Sequence, residues 1–90
     1  MENLPDHVKP YKSTPVFTQD SVPSKLLGDH QTAPGRWGVI HVKKGSLQYI
    51  IDPNESHIIT PDHPGGIIKP EQPHRVKPLG EVEFYVEFHK

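Results

Sequence analysis

The chain has 90 residues, a formal net charge of −1, no cysteine, 11 prolines and 7 glycines. That is room for one small domain with a modest core, and it excludes disulfides, thiolate metal sites and the basic footprint of a nucleic-acid binder. No apolar run approaches the roughly 18–20 residues that span a membrane, and Met1 to His7 lacks a signal-peptide pattern, so the expected setting is cytoplasmic.

Hydrophobic residues make up 32% of the chain, a low share, yet they sit in orderly runs. The reading is a compact all-β domain whose core a partner subunit completes. Residues 1–24 are punctuated by Pro5, Pro10, Pro15 and Pro23. They read as an extended arm laid over the sheet, with Val16-Phe17-Thr18 as a short edge strand. Residues 25–90 then form the β-barrel of the single domain. Lys25 to His30 is the next candidate strand, with Leu26, Gly28 and His30 on one face, and Gln31 to Arg36 is a turn.

Trp37 to Lys43 reads as a strand, Lys44-Gly45-Ser46 as a hairpin turn with Gly45 at positive φ, and Leu47 to Asp52 as the returning strand. Pro53-Asn54-Glu55 is a turn, and Ser56 to Thr60 is a strand closed by Pro61 to Pro64. Gly65 and Gly66 permit a tight reversal at positive φ. The β-branched Ile67 and Ile68 suit a buried strand, and Pro70 and Pro73 make a stiff corner. His74 therefore leaves a rigid support at the start of a strand. It is either a half-exposed strand residue or a ligand of a metal or substrate. After a turn at Leu79-Gly80, the last strand runs from Glu81 to Phe88. No window carries a helical apolar period without a proline in it. About seven short strands with frequent turns predict an antiparallel sandwich or small barrel.

The last strand is the cleanest signal. Val82, Phe84, Val86 and Phe88 share one face; Glu81, Glu83, Tyr85 and Glu87 share the other. On pattern alone the aromatic face enters the core and the carboxylates meet water.

Several chemistries are excluded. Ser24, Ser46 and Ser56 sit in turn-like contexts, none of them a nucleophile elbow. Gly65-Gly66 leads into no helix that could cradle a phosphate. Glu83 and Glu87 lie roughly 13 Å apart along a strand, too far for a retaining carboxylate pair. The 7 histidines raise the expectation of a metal site without locating it. His41 falls on the Trp37 face, and Arg75 faces away from His74, toward solvent or an interface. His7, His57, His63 and His89 read as surface residues.

Gly66 to Val76, with its proline corner and histidine, resembles the second motif of cupins. Trp37 to Tyr49 resembles the strand-turn-strand that closes the first. More closely, nearly the whole chain resembles the small cupin-like family related to tellurite resistance, which includes stand-alone YeaR-like proteins and a domain N-terminal to the methyltransferase in some TehB proteins. The resemblance is carried by Pro10 to Phe17, Leu26 to Thr32, Trp37-Gly38, Pro73-His74 and Phe84 to Phe88. It implies a cupin-like conical β-barrel or sandwich of short strands with a metal pocket. By position His30, His74 and Glu87 are the implied ligands. The metal is Zn(II) first, with Fe(II), Ni(II) and Mn(II) as alternatives. Trp37, Tyr49 and Tyr85 are expected to line the pocket, a core or interface place being the equal alternative for Trp37. The usual cupin pair of histidines one residue apart, and the glutamate after it, are missing, so His30 and Glu87 stand in for them.

If Glu87 points inward, alternation turns Val82, Phe84, Val86 and Phe88 outward. Left exposed, each large side chain would cost about 1.5–3 kcal/mol. The arm around Phe17 or a second subunit must then cover them, and a homodimer is expected. The functional expectation is a metal-binding module whose pocket takes a small ligand or oxyanion, linked by family name to tellurite or oxidative stress. The alternatives are a metal-dependent enzyme, an oxygenase or isomerase, at the same site, and a non-catalytic protein-interaction module.

Overall fold

The structure, a computed structural model, describes residues 4–28, 31–51, 55–64 and 66–90. It is organised by two long strands, β3 (Trp37–Ile51) and β6 (His74–His89), which pair antiparallel from Trp37↔His89 to Ile51↔His74. Around them lie β1 (Pro10–Ser13), β2 (Phe17–Thr18), a single helical turn α1 (Ser24–Leu27), β4 (Glu55–Ile59) and β5 (Gly66–Ile68). The sheet order is β1-β6-β3-β4, with β2 also on β6 and β5 also on β3. All these strand pairs are antiparallel. The chain is therefore an all-β sandwich, built on two long bent strands where short ones were expected.

The bend explains the difference. Lys44-Gly45-Ser46 is no hairpin, and Leu47 continues β3 instead of returning. Gly45 pairs Val82 and Leu47 pairs Pro78, with register shifts at Val42/Lys44 and Gly45/Leu47. Lys43 is thus an extra residue on β3, and the three residues 79–81 of β6 stand opposite the single Ser46, two more than the ladder needs. Such bulges bend a ladder and strengthen its twist. Gly45 (φ +79) and Gly80 (φ +86) take the left-handed conformation that bulges need. At Gly45 a Cβ would lie 2.0 Å from the Glu81 carbonyl oxygen, so the two backbones meet there. The expected turn at Leu79-Gly80 is the facing bulge.

Both halves of the bent ladder turn their apolar face inward. Ile40, Val42, Leu47, Tyr49 and Ile51 of β3 meet Val76, Val82, Phe84 and Val86 of β6, with Ile59 and Ile68 completing the core. Val82 and Phe84 are fully buried. The stripe that needed cover if Glu87 pointed inward is itself the core, so it gives no reason for a second subunit. Gly66 is a strand residue paired with Ile40, not a reversal at positive φ. A Cβ there would fall 2.8 Å from that of Ile40, so a side chain has no room.

The arm enters the sheet. β1 and β2 pair with β6, and the Phe17 ring meets Phe84 edge-on, centroids 5.7 Å apart. Pro15 cannot donate to the ladder. There Thr14 Oγ1 accepts the Val86 N–H at 3.0 Å, and Gln19 Oε1 accepts that of Val82 at 3.1 Å. The outer edge of β6 is thereby paired between Val82 and His89. Lys25 to Leu27, expected to open a strand that runs to His30, lie instead in the single turn of α1, with the Leu26 N–H donating to Pro23 O at 3.0 Å. One turn is too short to show a helical period. Among the described residues no helix is long and apolar enough to cross a membrane.

Gly45→Ala is expected to cost about 2–4 kcal/mol of stability, combining left-handed strain with displacement of the Glu81 backbone. Gly80→Ala has similar strain but open space around it and should cost about 1 kcal/mol. Urea unfolding followed by Trp37 fluorescence measures both; equal losses would contradict the close packing at Gly45.

Candidate functional site

The corner before β6 is held from outside. Thr32 forms a parallel bridge with Pro70, its carbonyl accepts the Glu71 N–H at 3.0 Å, and its hydroxyl lies 2.9 Å from Arg36 O and 3.3 Å from Lys69 O. Glu71 sits at φ 60, strained for a residue with a side chain. Backbone of this kind persists where its surroundings over-determine it, and it concentrates at functional sites. The corner delivers His74, which is 1% exposed. Its Nδ1 lies 2.9 Å from Gln72 O. A carbonyl only accepts, so Nδ1 carries the hydrogen, and in the neutral ring Nε2 bears the lone pair.

His74 belongs to the wall of a cavity of about 380 Å³. The arm supplies Lys12, Ser13, Thr14 and Phe17 to it, and the segment around α1 supplies Pro23, Lys25 and Leu26. Thr32, Ile68, Val86 and Phe88 close the far side. Phe17, Leu26 and Phe88 pack on the main core, so the cavity is a pocket between arm and sheet with mostly apolar walls. Local periodicity carried no signal for Lys12, Lys25 or Thr32 as wall residues. They meet only through the pairing of β1 with β6 and of Thr32 with the corner.

The expected pocket residues fall elsewhere. Tyr49 is buried behind His74, ring centroids 5.8 Å apart at 73°, and its hydroxyl donates to Ile67 O at 3.1 Å. It supports the histidine and does not line the cavity. Trp37 and Tyr85 lie on the opposite face of the ladder, where register places Trp37, Val39 and His41 beside His89, Glu87 and Tyr85. His41 does share the Trp37 face, and its ring stacks on Tyr85 at 4.8 Å.

Glu87 belongs to that outer group as well. His89 Nε2 donates to Glu87 Oε1 at 2.9 Å, and His41 Nε2 lies 3.7 Å from the same oxygen. His89, expected at the surface, is 7% exposed. The alternation that sends Val86 into the core sends Glu87 out, so His74 and Glu87 face different sides of β6. His30 lies outside the described residues. Among the described residues no group of three or more His, Asp or Glu is placed to hold a metal ion. The three-donor set implied for zinc is thus not assembled from the described residues.

A family model for the TehB-like domain matches residues 12–86. Two Haemophilus influenzae proteins, each described as a probable S-adenosyl-L-methionine-dependent methyltransferase TehB, are 34% and 33% identical over 76 residues. Each alignment covers 79% of this chain and 27% of the relative, so the chain spans about a quarter of those proteins. The crystal structure of TehB from Haemophilus influenzae superposes with a TM-score of 0.87 at 31% identity, over 93% of this chain and 32% of that one. A crystal structure of an Escherichia coli K12 protein superposes with a TM-score of 0.90 over 100% of this chain and 97% of its own, and at 19% identity it shows the shared fold. With the match running from β1 through the last core residues of β6, this chain belongs to the TehB-like family.

Proposed function

We propose that the chain is a small-molecule-binding domain of the TehB-like family, with its site in the cavity between arm and sheet. The observation that carries this is a pocket of about 380 Å³ with His74 in an otherwise largely apolar wall. Ligand sites are commonly concave and apolar, with few well-placed polar groups. Phe17, Leu26, Ile68 and Phe88 would face nothing complementary on a bare oxyanion, so the walls suit an organic ligand. Methyl transfer is named for relatives of which this chain matches 27%. In our reading the domain contributes ligand binding, and the family's tie to tellurite stays a physiological lead.

A metal reading stands beside it on one observation. The Nδ1–H of His74 is tied to the Gln72 carbonyl. Metal-bound histidines are commonly oriented in this way, by a hydrogen bond from the ring nitrogen that does not coordinate. His74 would be the described donor, and zinc there would supply Lewis acidity.

Two measurements test these readings. Calorimetric titration with 1-octanol should give saturable binding to the wild-type chain, and filling the cavity with Leu26→Trp should weaken it at least about tenfold, equivalent to about 1.4 kcal/mol. Dispersed amide resonances would confirm that the variant folds. No binding to the wild type, or equal binding to both, would contradict the pocket reading. For the metal, elemental analysis of protein purified without added metal should find about one ion per chain, lost in His74→Ala. No metal, or full retention in the variant, would end that reading.

A further inference from the structure

The polar groups of the cavity are unevenly matched. Thr14 donates its hydroxyl hydrogen to Pro15 O at 2.9 Å, and Thr32 donates its own to Arg36 O at 2.9 Å. These hydroxyls have given their hydrogens to the protein and have none left for a ligand. Lys12 and Lys25 line the same cavity, and neither is ion-paired with a carboxylate among the described residues. No described Asp or Glu belongs to the wall. The chain as a whole carries a net charge of −1, so this concentration of positive charge is local.

Lys12 is also positioned by its strand. Pro10 pairs His89 and Lys12 pairs Phe88, which makes Tyr11 an extra residue in β1. A bulge re-aims the side chains around it. The Lys12 ammonium lies 5.4 Å from the Phe88 ring centroid and 5.8 Å from that of Tyr11. The Arg36 guanidinium carbon lies 5.5 Å from the same Tyr11 ring. Aromatic faces attract cations, so two rings draw Lys12 toward them, and Lys90 shares the Tyr11 ring with Lys12 and Arg36 at 4.6 Å.

We infer that the ligand of this cavity is an organic acid, bound as its anion, with the charged head at Lys12 and Lys25 and an apolar body against Phe17, Leu26 and Ile68. This rests on the small-molecule reading above and adds the ligand's charge to it. Two ammonium groups with no carboxylate partner among the described residues, side by side with an apolar wall, attract an anion. A cationic head in the same position would be repelled.

The test uses three probes of equal chain length, octanoate, 1-octanol and octylamine, titrated into the full chain at neutral pH and low salt. Octanoate should bind at least about tenfold more tightly than octanol, and octylamine more weakly than either. In a Lys12→Met/Lys25→Met double variant, checked for folding by its amide spectrum, the ratio of octanoate to octanol affinity should fall to within about twofold of unity. Equal binding of octanoate and octanol by the wild type would overturn the anion inference and leave the pocket reading standing. A preference that survives in the double variant would overturn it too. Failure of all three probes to bind would remove the pocket reading and this inference together.

Discussion

The structure depends on one backbone approach, Gly45 against the carbonyl of Glu81. There the β3–β6 ladder bends while its pairing resumes on either side. Had the chain reversed at this point, Leu47 to Ile51 would pair with Trp37 to Lys43, and the two halves would no longer share a core. Because it bends instead, Ile40 and Val42 from one half and Leu47 and Tyr49 from the other turn to the same interior. Burial of each such side chain contributes about 1.5–3 kcal/mol. A domain with so low an apolar content needs every one of them.

The same ladder separates two chemistries. Its inner side, closed by the arm, holds the cavity, His74 and two lysines that have no carboxylate partner among the described residues. Its outer side holds Glu87 between two imidazoles, with Tyr85 stacked on one of them. A strand alternates its side chains strictly, so a residue on one side cannot serve the other without a bulge between them. On β6 itself no extra residue lies between Val82 and Glu87, the nearby bulge at Lys43 being on β3. The arm therefore closes the cavity: β1 and β2 pair with the C-terminal half of β6, and in doing so bring Lys12 and Phe17 into its wall. The clamp of Thr32 on the proline corner fixes the opposite wall, with the strain at Glu71 offset by the bonds around it.

Much of this was legible in the residues. The alternation of Val82, Phe84 and Val86 against Glu83, Tyr85 and Glu87 names the core face of β6 correctly, and His41 falls on the Trp37 face as alternation requires. The stiff proline corner does present His74. The resemblance that turned Glu87 inward conflicts with that alternation, and packing follows the alternation, because the apolar face is the larger to hide. Lys44-Gly45-Ser46 reads as a hairpin for a physical reason. A hairpin and a bulge both ask for glycine at positive φ, and only the partner strand tells them apart. The cavity was not legible at all, since its walls come from residues far apart in the chain, such as Lys12 and Thr32, that no local pattern connects.

Mapping amide shifts in an isotope-labelled sample as 1-octanol is added would test most directly whether the arm-covered side of the ladder is the binding side. The largest changes should fall at Phe17, Leu26, Thr32, Ile68 and Phe88, with His41, Tyr85, Glu87 and His89 nearly unmoved. Changes concentrated at His41, Tyr85, Glu87 and His89, or spread evenly over both faces, would contradict it.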